Sequence, residues 1–526
     1  MNKINRVILC IIDDLRAEHF FDFIERGFLP NFKKMMENGI FSKNCITDFP
    51  SVTLPTQPTI NTGTYTGDYR KENCHGIPAY NWMGRDLTPP ILRDYGANDM
   101  QAYKMNEDLG NNCRTLLEMV GNGNTASITQ FCCRGADYLF PKSKIKLAFY
   151  YLLLNHAPNI RYKMAKVNTV VVELLLRTFK KPKKYFENNE PPIGSFLWFM
   201  TSDILMHWYG YDSKLYKVNL LHIDRCIGKL LDGLDELGYL DETAIAITSD
   251  HGNYKAGKVG ELGSFFDKNG FKPYDPHKNL NGNIDLAEFG GIGLFNFKGK
   301  EKLTGNNKYE WAHPTMKEME NFGPKRVNLF DKLFKIDGTQ LMYYQNDGND
   351  YKKGTISLKR KDKITGKIIT GSIEYTGNGT EYRTKYISDE SENDIFGFLG
   401  DEKASKLVNG KFHSTQEWME GTYHLNFPIY PDLIPRHFKN PRSSDIITST
   451  CGDVLFNIGH NKKKNENLFS HDIGLRKSVI VPLIIGGSAE IPKLEITYCA
   501  TVDIVPTLLK TIGKTPHKSV VGKSLV

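Results

Sequence analysis

Four short segments of this 526-residue chain place metal-type ligands where the chain turns. Asp13 follows the apolar run VILCII, and Asp203 with His207 forms a D-x-x-x-H pair. Asp250 and His251 end the run TAIAITS just before Gly252, and His471 stands in SHDIG. Singly each is ordinary, because an aspartate after a strand usually makes a turn or cap and a lone histidine usually sits on the surface. The D-x-x-x-H spacing puts both side chains on one helical face or across a short loop. The neighbours Asp250 and His251 converge only where the chain bends sharply, and a strand end running into glycine allows that. Together the segments offer three carboxylates and three imidazoles, a set suited to a pair of zinc-like ions.

Such a centre needs something to activate, and Thr53 is the candidate. It lies in a proline-bracketed turn, Pro50-Ser51-Val52-Thr53-Leu54-Pro55. A free threonine hydroxyl is a poor nucleophile at neutral pH, whereas coordination to a divalent ion lowers its pKa and aims the oxygen. Taken alone, Thr53 reads as the cap of the next helix.

The elements that must carry these residues are legible in outline. Val7 to Ile12 and Thr243 to Thr248 are continuous apolar runs rich in β-branched residues, the pattern of strands buried on both faces of a parallel sheet. Ligands of open α/β sheets gather at the carboxyl ends of such strands. A helix is expected over Leu29 to Glu37 and another over Gln57 to Thr62. A third runs from Ser213 to Leu237, with apolar residues at 220, 223, 227, 230, 231, 234 and 237 on one face. The core pattern resumes in Val479 to Ile485 and closes with a helix around Asp503 to Ile512. Between them, 255–440 is polar and rich in Gly, Asn, Asp and Lys, with short strand candidates at Thr355 to Leu358 and Lys367 to Ile369. The expected architecture is α/β, a mostly parallel sheet sandwiched between helices, with a discontinuous core of 1–254 and 441–526 and an inserted α+β cap of 255–440.

Residues 142–184 stand apart, with eleven Lys/Arg against the single acid Glu173, interleaved with LAFYYLLL and VVVELLL. Two amphipathic helices fit, either packed on the core with solvated lysines or presenting a basic patch to an anionic membrane or lipid substrate. Composition is otherwise ordinary for a globular protein at 40% hydrophobic and 24% charged residues. The net charge of +8 is mild for this length and argues against a nucleic-acid duplex as partner. Nine cysteines, odd in number and without a C-x-x-C pair, point away from a disulfide framework and toward a reducing compartment. The apolar run at the N-terminus ends in two aspartates and makes a poor signal peptide. Cytoplasmic location, peripheral to a membrane if 142–184 binds one, is the expectation.

These segments meet in a recognisable order. The chain resembles the alkaline phosphatase superfamily and, within it, the type I phosphodiesterase/nucleotide pyrophosphatase family. The resemblance is carried by IIDDLR, FPSVTLPTQPTINTGTYTG, HGIPAYNW, SDILMH, TSDHG, SHDIGLRKSVIVPLIIGG and TVDIVPTLL. It implies that one metal is held by Asp203, His207 and His471, and a second by Asp13, Asp250 and His251, with Thr53 as a further ligand and nucleophile. Zinc is the implied metal, with manganese or iron as alternatives. The implied reaction is hydrolysis of phosphodiesters or nucleotide pyrophosphates through a phosphothreonine, the substrate being a phosphate-ester small molecule or a lipid headgroup.

The departures from the family narrow this reading. Nucleotide pyrophosphatases carry an Asn just beyond the nucleophile, and here Thr56 and Gln57 stand there as candidate phosphate contacts. Sulfatases carry C-x-P-x-R where this chain has Thr53-Leu54-Pro55-Thr56-Gln57, which argues against sulfate esters. Arg134, in CCRGAD, reads either as a bidentate phosphate donor or as half of a surface salt bridge. His75 in HGIP reads as a bridge between loops rather than as a catalytic group. Asp14 occupies a position that is usually Gly and reads as the next helix cap or, alternatively, as a group standing behind the metal ligands. A phosphomonoesterase or phosphoryl transferase of the same superfamily remains an alternative, as does, from another class, a catalytically silent membrane-associated protein.

Overall fold

The computed structural model describes residues 3–526 except 69–72, 86–90, 97–101, 143–159, 261, 276–278, 280, 300–310, 324, 391–392 and 457–467. Internal contacts divide the chain into two units, one of Met1–Tyr65, Tyr95–Asn253 and Lys477–Val526, the other of Thr66–Asp94 and Tyr254–Arg476. Residues 66–94 and 441–476, which the hydropathy pattern places with the core, group with the second unit.

The first unit is built on a nine-stranded sheet. Arg6–Ile12 lies between Gly194–Phe199 and Thr243–Thr248 and runs parallel to both. Thr125–Ile128 and Tyr138–Phe140 extend the parallel order. Ile480–Gly487, the expected VIVPLII strand, runs antiparallel to both of its neighbours, Thr243–Thr248 and Ile40–Ile46. Thr243–Thr248 and Gly194–Phe199 are buried at every position, which is why they read as unbroken apolar runs without alternation. Register then does the positioning. Ile12 pairs with Phe199, and Ile11 with Thr248. The chain therefore leaves three adjacent strands on one edge of the sheet, delivering Asp13, the helix that starts at Thr201, and Ser249-Asp250 side by side.

Helices cover this sheet. Lys214–Glu236 buries Leu220, Ile223, Ile227, Leu230, Leu231 and Leu234, and its N-cap Ser213 accepts from the Tyr216 amide. Of the two basic amphipathic helices expected in 142–184, the first lies outside the described residues. The second is Ile160–Lys180, which buries Met164, Val171, Val172, Leu175 and Phe179 and leaves Arg161, Lys166, Arg177 and Lys180 exposed. Its buried Asn168 donates to Asn219 at 3.0 Å and accepts from Thr201 at 2.7 Å. This helix packs its apolar face inward. No helix among the described residues is long and apolar enough to cross a membrane.

The second unit carries an eight-stranded antiparallel sheet. Its long hairpin, Lys353–Lys361 with Ile368–Thr376, contains the two expected short strands, each extended to nine residues. Burial alternates along Ile368–Thr376, the mark of a sheet with one face packed and one wet. The helix Tyr430–Lys439 is buried at every position and brings Asp432, Arg436 and Lys439 inside. Arg436 donates from Nε to Asp432 Oδ2 at 2.7 Å and from Nη1 to Asp68 at 3.4 Å. Lys439 Nζ lies 3.6 Å from the same Asp68 oxygen and donates to Gly377 O and Asn378 Oδ1. The Tyr382 ring stacks under both cations, 4.1 and 4.4 Å away.

Candidate metal centre

The strand ends fix three of the expected ligands. Asp13 is buried at the end of Arg6–Ile12. Its Oδ2 accepts from Trp198 Nε1 at 3.0 Å, and its carbonyl accepts from the Ser202 hydroxyl. Asp250 is buried with its Oδ2 accepting from Gln57 Nε2 at 2.9 Å, while its Oδ1 accepts from the amides of Asp14 (3.3 Å) and His251 (3.0 Å). His251 is wholly buried, with Nδ1 3.1 Å from the Gly252 carbonyl. A carbonyl can only accept, so Nδ1 carries a proton, and Nε2 faces the carboxylates. That Nε2 lies 3.3 Å from Asp13 Oδ1 and 3.8 Å from Asp250 Oδ1. The sharp bend depends on Gly252, where a Cβ would meet the Lys477 carbonyl at 2.3 Å.

Asp203 and His207 lie on the helix Thr201–Tyr209, so the D-x-x-x-H pair takes the helical-face option, with His207 Nε2 3.3 Å from Asp203 Oδ1. Both are partly exposed, at 18% and 36%. Thr53 is the first residue of the helix Thr53–Thr62, four positions before the expected start, and the N-cap is Val52 rather than Thr53. Its hydroxyl instead lies 3.1 Å from His251 Nε2.

Two sets of ligand atoms in this unit lie within 4.8 Å of one another, Asp13 with Asp250 and His251, and Asp14 with Asp203 and His251. Burial first, then the neighbouring Asp250 and Asp203 carboxylates, push the Asp13 carboxyl well above the ordinary range. Burial and Asp203 do the same to Asp14. Burial pulls the His251 imidazole down, but the charges of Asp250, Asp203 and Asp14 outweigh it and leave it above its usual value. Asp13 Oδ1 and Asp14 Oδ2 are buried without a hydrogen-bond donor. Clustered acids with unfilled lone pairs and neutral imidazole nitrogen are the donor set that divalent ions take, so the residues fit such ions.

The three substrate contacts expected from sequence are engaged internally. The Thr56 hydroxyl donates to the Val52 carbonyl at 2.9 Å, and Gln57 holds Asp250. The Arg134 guanidinium pairs with Glu118 at 3.1 Å and with the Cys113 carbonyl, the salt-bridge alternative. His471 belongs to the second unit, buried directly after the short strand Phe469–Ser470 that pairs with Tyr254–Lys255. His75, also there and buried, accepts from the Ile77 amide through Nδ1. Asp14 is not a helix cap. The N-cap of Ala17–Glu25 is Arg16, and the Asp14 carboxylate turns inward to accept from Asn253 Nδ2 at 2.9 Å. Sequence reasoning missed Trp198, Asn253 and Tyr216 as partners of the site. The only signal was their nearness to the motifs, since the contacts span 185 to 239 residues.

Residues 7–333 match the family model described as type I phosphodiesterase/nucleotide pyrophosphatase. An uncharacterized pyrophosphatase/phosphodiesterase of Schizosaccharomyces pombe is 23% identical over 246 residues, 47% of this chain and 44% of that protein. The chain thus spans less than half the length of that curated relative. Murine ectonucleotide pyrophosphatase/phosphodiesterase 5 superposes with a TM-score of 0.54 at 14% identity, covering 97% of this chain and 96% of that one. The human protein gives 0.54 at 13% identity, covering 97% and 95%. An inactive threonine-to-alanine variant of the murine protein, in complex with AMP, gives 0.53 at 14%, covering 97% and 96%.

Proposed function

The chain belongs to the type I phosphodiesterase/nucleotide pyrophosphatase family of the alkaline phosphatase superfamily, and from that premise we propose that it hydrolyses phosphodiesters or nucleotide pyrophosphates through Thr53. The observation that carries the proposal is the Thr53 hydroxyl, at a helix N-terminus and 3.1 Å from His251 in the carboxylate cluster. That end of a helix attracts phosphate. The AMP bound to the murine threonine variant supports a nucleotide-type substrate.

Asp13, Asp250, His251 and Thr53 would hold one divalent ion, and Asp203 and His207 a second, to which the family resemblance adds His471. Such ions lower the pKa of the attacking hydroxyl and neutralise charge that builds on the phosphoryl oxygens. The Thr53 oxygen attacks phosphorus in line with the leaving ester oxygen. The new Thr53–phosphorus bond forms as the ester bond breaks, and the departing oxygen takes up a proton. Water then displaces the threonine oxygen, which regains a proton, and a phosphomonoester leaves. Gln57 and Trp198 hold Asp250 and Asp13 in place throughout. The cysteine usage supports a cytoplasmic location.

The test is hydrolysis of bis-p-nitrophenyl phosphate against p-nitrophenyl phosphate by metal-loaded wild type and Thr53→Ala. Faster diester turnover, lost by about a thousandfold or more in the variant, is expected. Faster monoester turnover moves the assignment to a phosphatase, and an unaffected variant removes Thr53 from the mechanism.

A further inference from the structure

Asp14 does more than follow Asp13. Its φ of +62° lies in the left-handed region, where glycine sits freely and aspartate only at a cost. A side chain kept in a conformation that glycine adopts more cheaply points to a role for that side chain.

The surroundings say which role. Asp14 is fully buried, and its backbone is held at both ends, the amide donating to Asp250 Oδ1 and the carbonyl accepting from Tyr216 Oη at 2.6 Å. Asn253 occupies Oδ1, while Oδ2 is buried without a hydrogen-bond partner. A carboxylate oxygen of Asp14 lies within 4.8 Å of ligand atoms of Asp203 and of His251. In the two-ion reading, Asp203 belongs to one ion and His251 to the other. A buried carboxylate with an unfilled lone pair between two cation sites gains a ligand's place there and is costly without one.

We propose that Asp14 is an additional carboxylate ligand shared between the two ions, and that it shifts the centre toward manganese-type ions and away from zinc. The inference rests on the two-ion reading. Zinc is satisfied by four donors of mixed nitrogen and oxygen, and Asp13, Asp250, His251 and Thr53 already supply four. An extra oxygen donor favours ions that take six ligands and prefer carboxylate, manganese among them. The Asp14 hydrogen bond from Asn253 fixes the carboxylate orientation, as outer partners do for metal ligands.

The test is competitive metal uptake, independent of catalysis. Metal-free wild type, Asp14→Gly and Asp14→Asn are dialysed against buffered manganese and zinc, and both metals are counted per chain by mass spectrometry. Glycine is at ease at this φ, and asparagine keeps an acceptor for Asn253 and tolerates the left-handed region. Two ions per chain are expected in all three proteins, with the manganese-to-zinc ratio falling at least about tenfold in both variants. Two ions with an unchanged ratio overturn the role of Asp14 and leave the two-ion centre standing. Fewer than two ions in wild type overturn both together. If neither variant folds, wild type loaded with manganese decides. An exchange-coupled paramagnetic resonance spectrum supports a shared ligand, and two uncoupled ions contradict it.

Discussion

Each unit of this protein buries a cluster of charged side chains, and the two clusters are built on opposite principles. In the second unit Asp68 and Asp432 meet Arg436 and Lys439, with Tyr382 beneath both cations, so the charges are matched within the fold. In the first unit Asp13, Asp14 and Asp250 crowd together, and among the described residues the only base ion-paired with Asp13 or Asp250 is His251. A buried pair needs nothing from outside. A buried group of like charges is complete only with an external cation. Burial of charge therefore does not by itself mark a functional site, and the sign balance of the cluster does.

That contrast can be broken experimentally in several places. The largest effect belongs to the matched cluster. Arg436→Met takes the cation from Asp432 and leaves Asp68 with Lys439 alone, and should cost about 3–5 kcal/mol in urea denaturation, while metal content per folded chain stays at the wild-type value. Loss of metal in that variant would erase the distinction between the clusters. Next in size is metal linkage. Saturating divalent ion at about a hundred times its dissociation constant should raise stability by about 2.7 kcal/mol, read as a shift in melting temperature. Asp250→Ala should remove the part of the shift that comes from the ion it holds.

A smaller effect sharpens the comparison within the first unit. In metal-free protein Asp13→Asn removes one of several crowded like charges while leaving an acceptor for Trp198, and should stabilise by on the order of 1 kcal/mol. A destabilised metal-free variant would mean that the acids are matched internally after all. The smallest effect is pH-linked and sits in the second unit. Burial pushes the Lys439 ammonium down to about 8, against the opposing pull of Asp68. The unfolded chain keeps that proton up to its ordinary value of 10.5, so between the two values the unfolded state binds more protons and stability rises with pH. Wild type should gain on the order of 0.5 kcal/mol over Lys439→Met between about pH 7.5 and 8.5, measured by denaturation at each pH. An equal slope in both proteins would remove Lys439 from the linkage.

What was legible in the sequence was whatever rests on local pattern. Unbroken runs such as TAIAIT announced strands buried on both faces, and their register then brought Asp13 and Asp250 together without further information. The D-x-x-x-H pair and the Asp-His-Gly bend are likewise local devices. What stayed hidden depends on distant partners. The helix at Thr53 begins early because a proline is tolerated in a first turn, where Pro55 sits, although from sequence Pro55 read as closing a turn ahead of the helix. Arg134 found Glu118 rather than a ligand, a choice that spacing alone leaves open. Residues 66–94 join the second unit through contacts such as Arg85 with Asp445 and Asp68 with Arg436, 360 and 368 residues apart. Asp14 read as a cap because its inward turn depends on Tyr216 and Asn253, more than two hundred residues away.

The central claim is that the unmatched acids of the first unit assemble around divalent ions to make Thr53 a nucleophile. Rapid acid quenching of metal-loaded wild type during diester turnover, followed by peptide mapping, tests it directly. A phosphoryl adduct is expected on the peptide containing Thr53, formed only when metal is present and absent from Thr53→Ala. Turnover with no adduct on Thr53, or with the adduct on another residue, would contradict it.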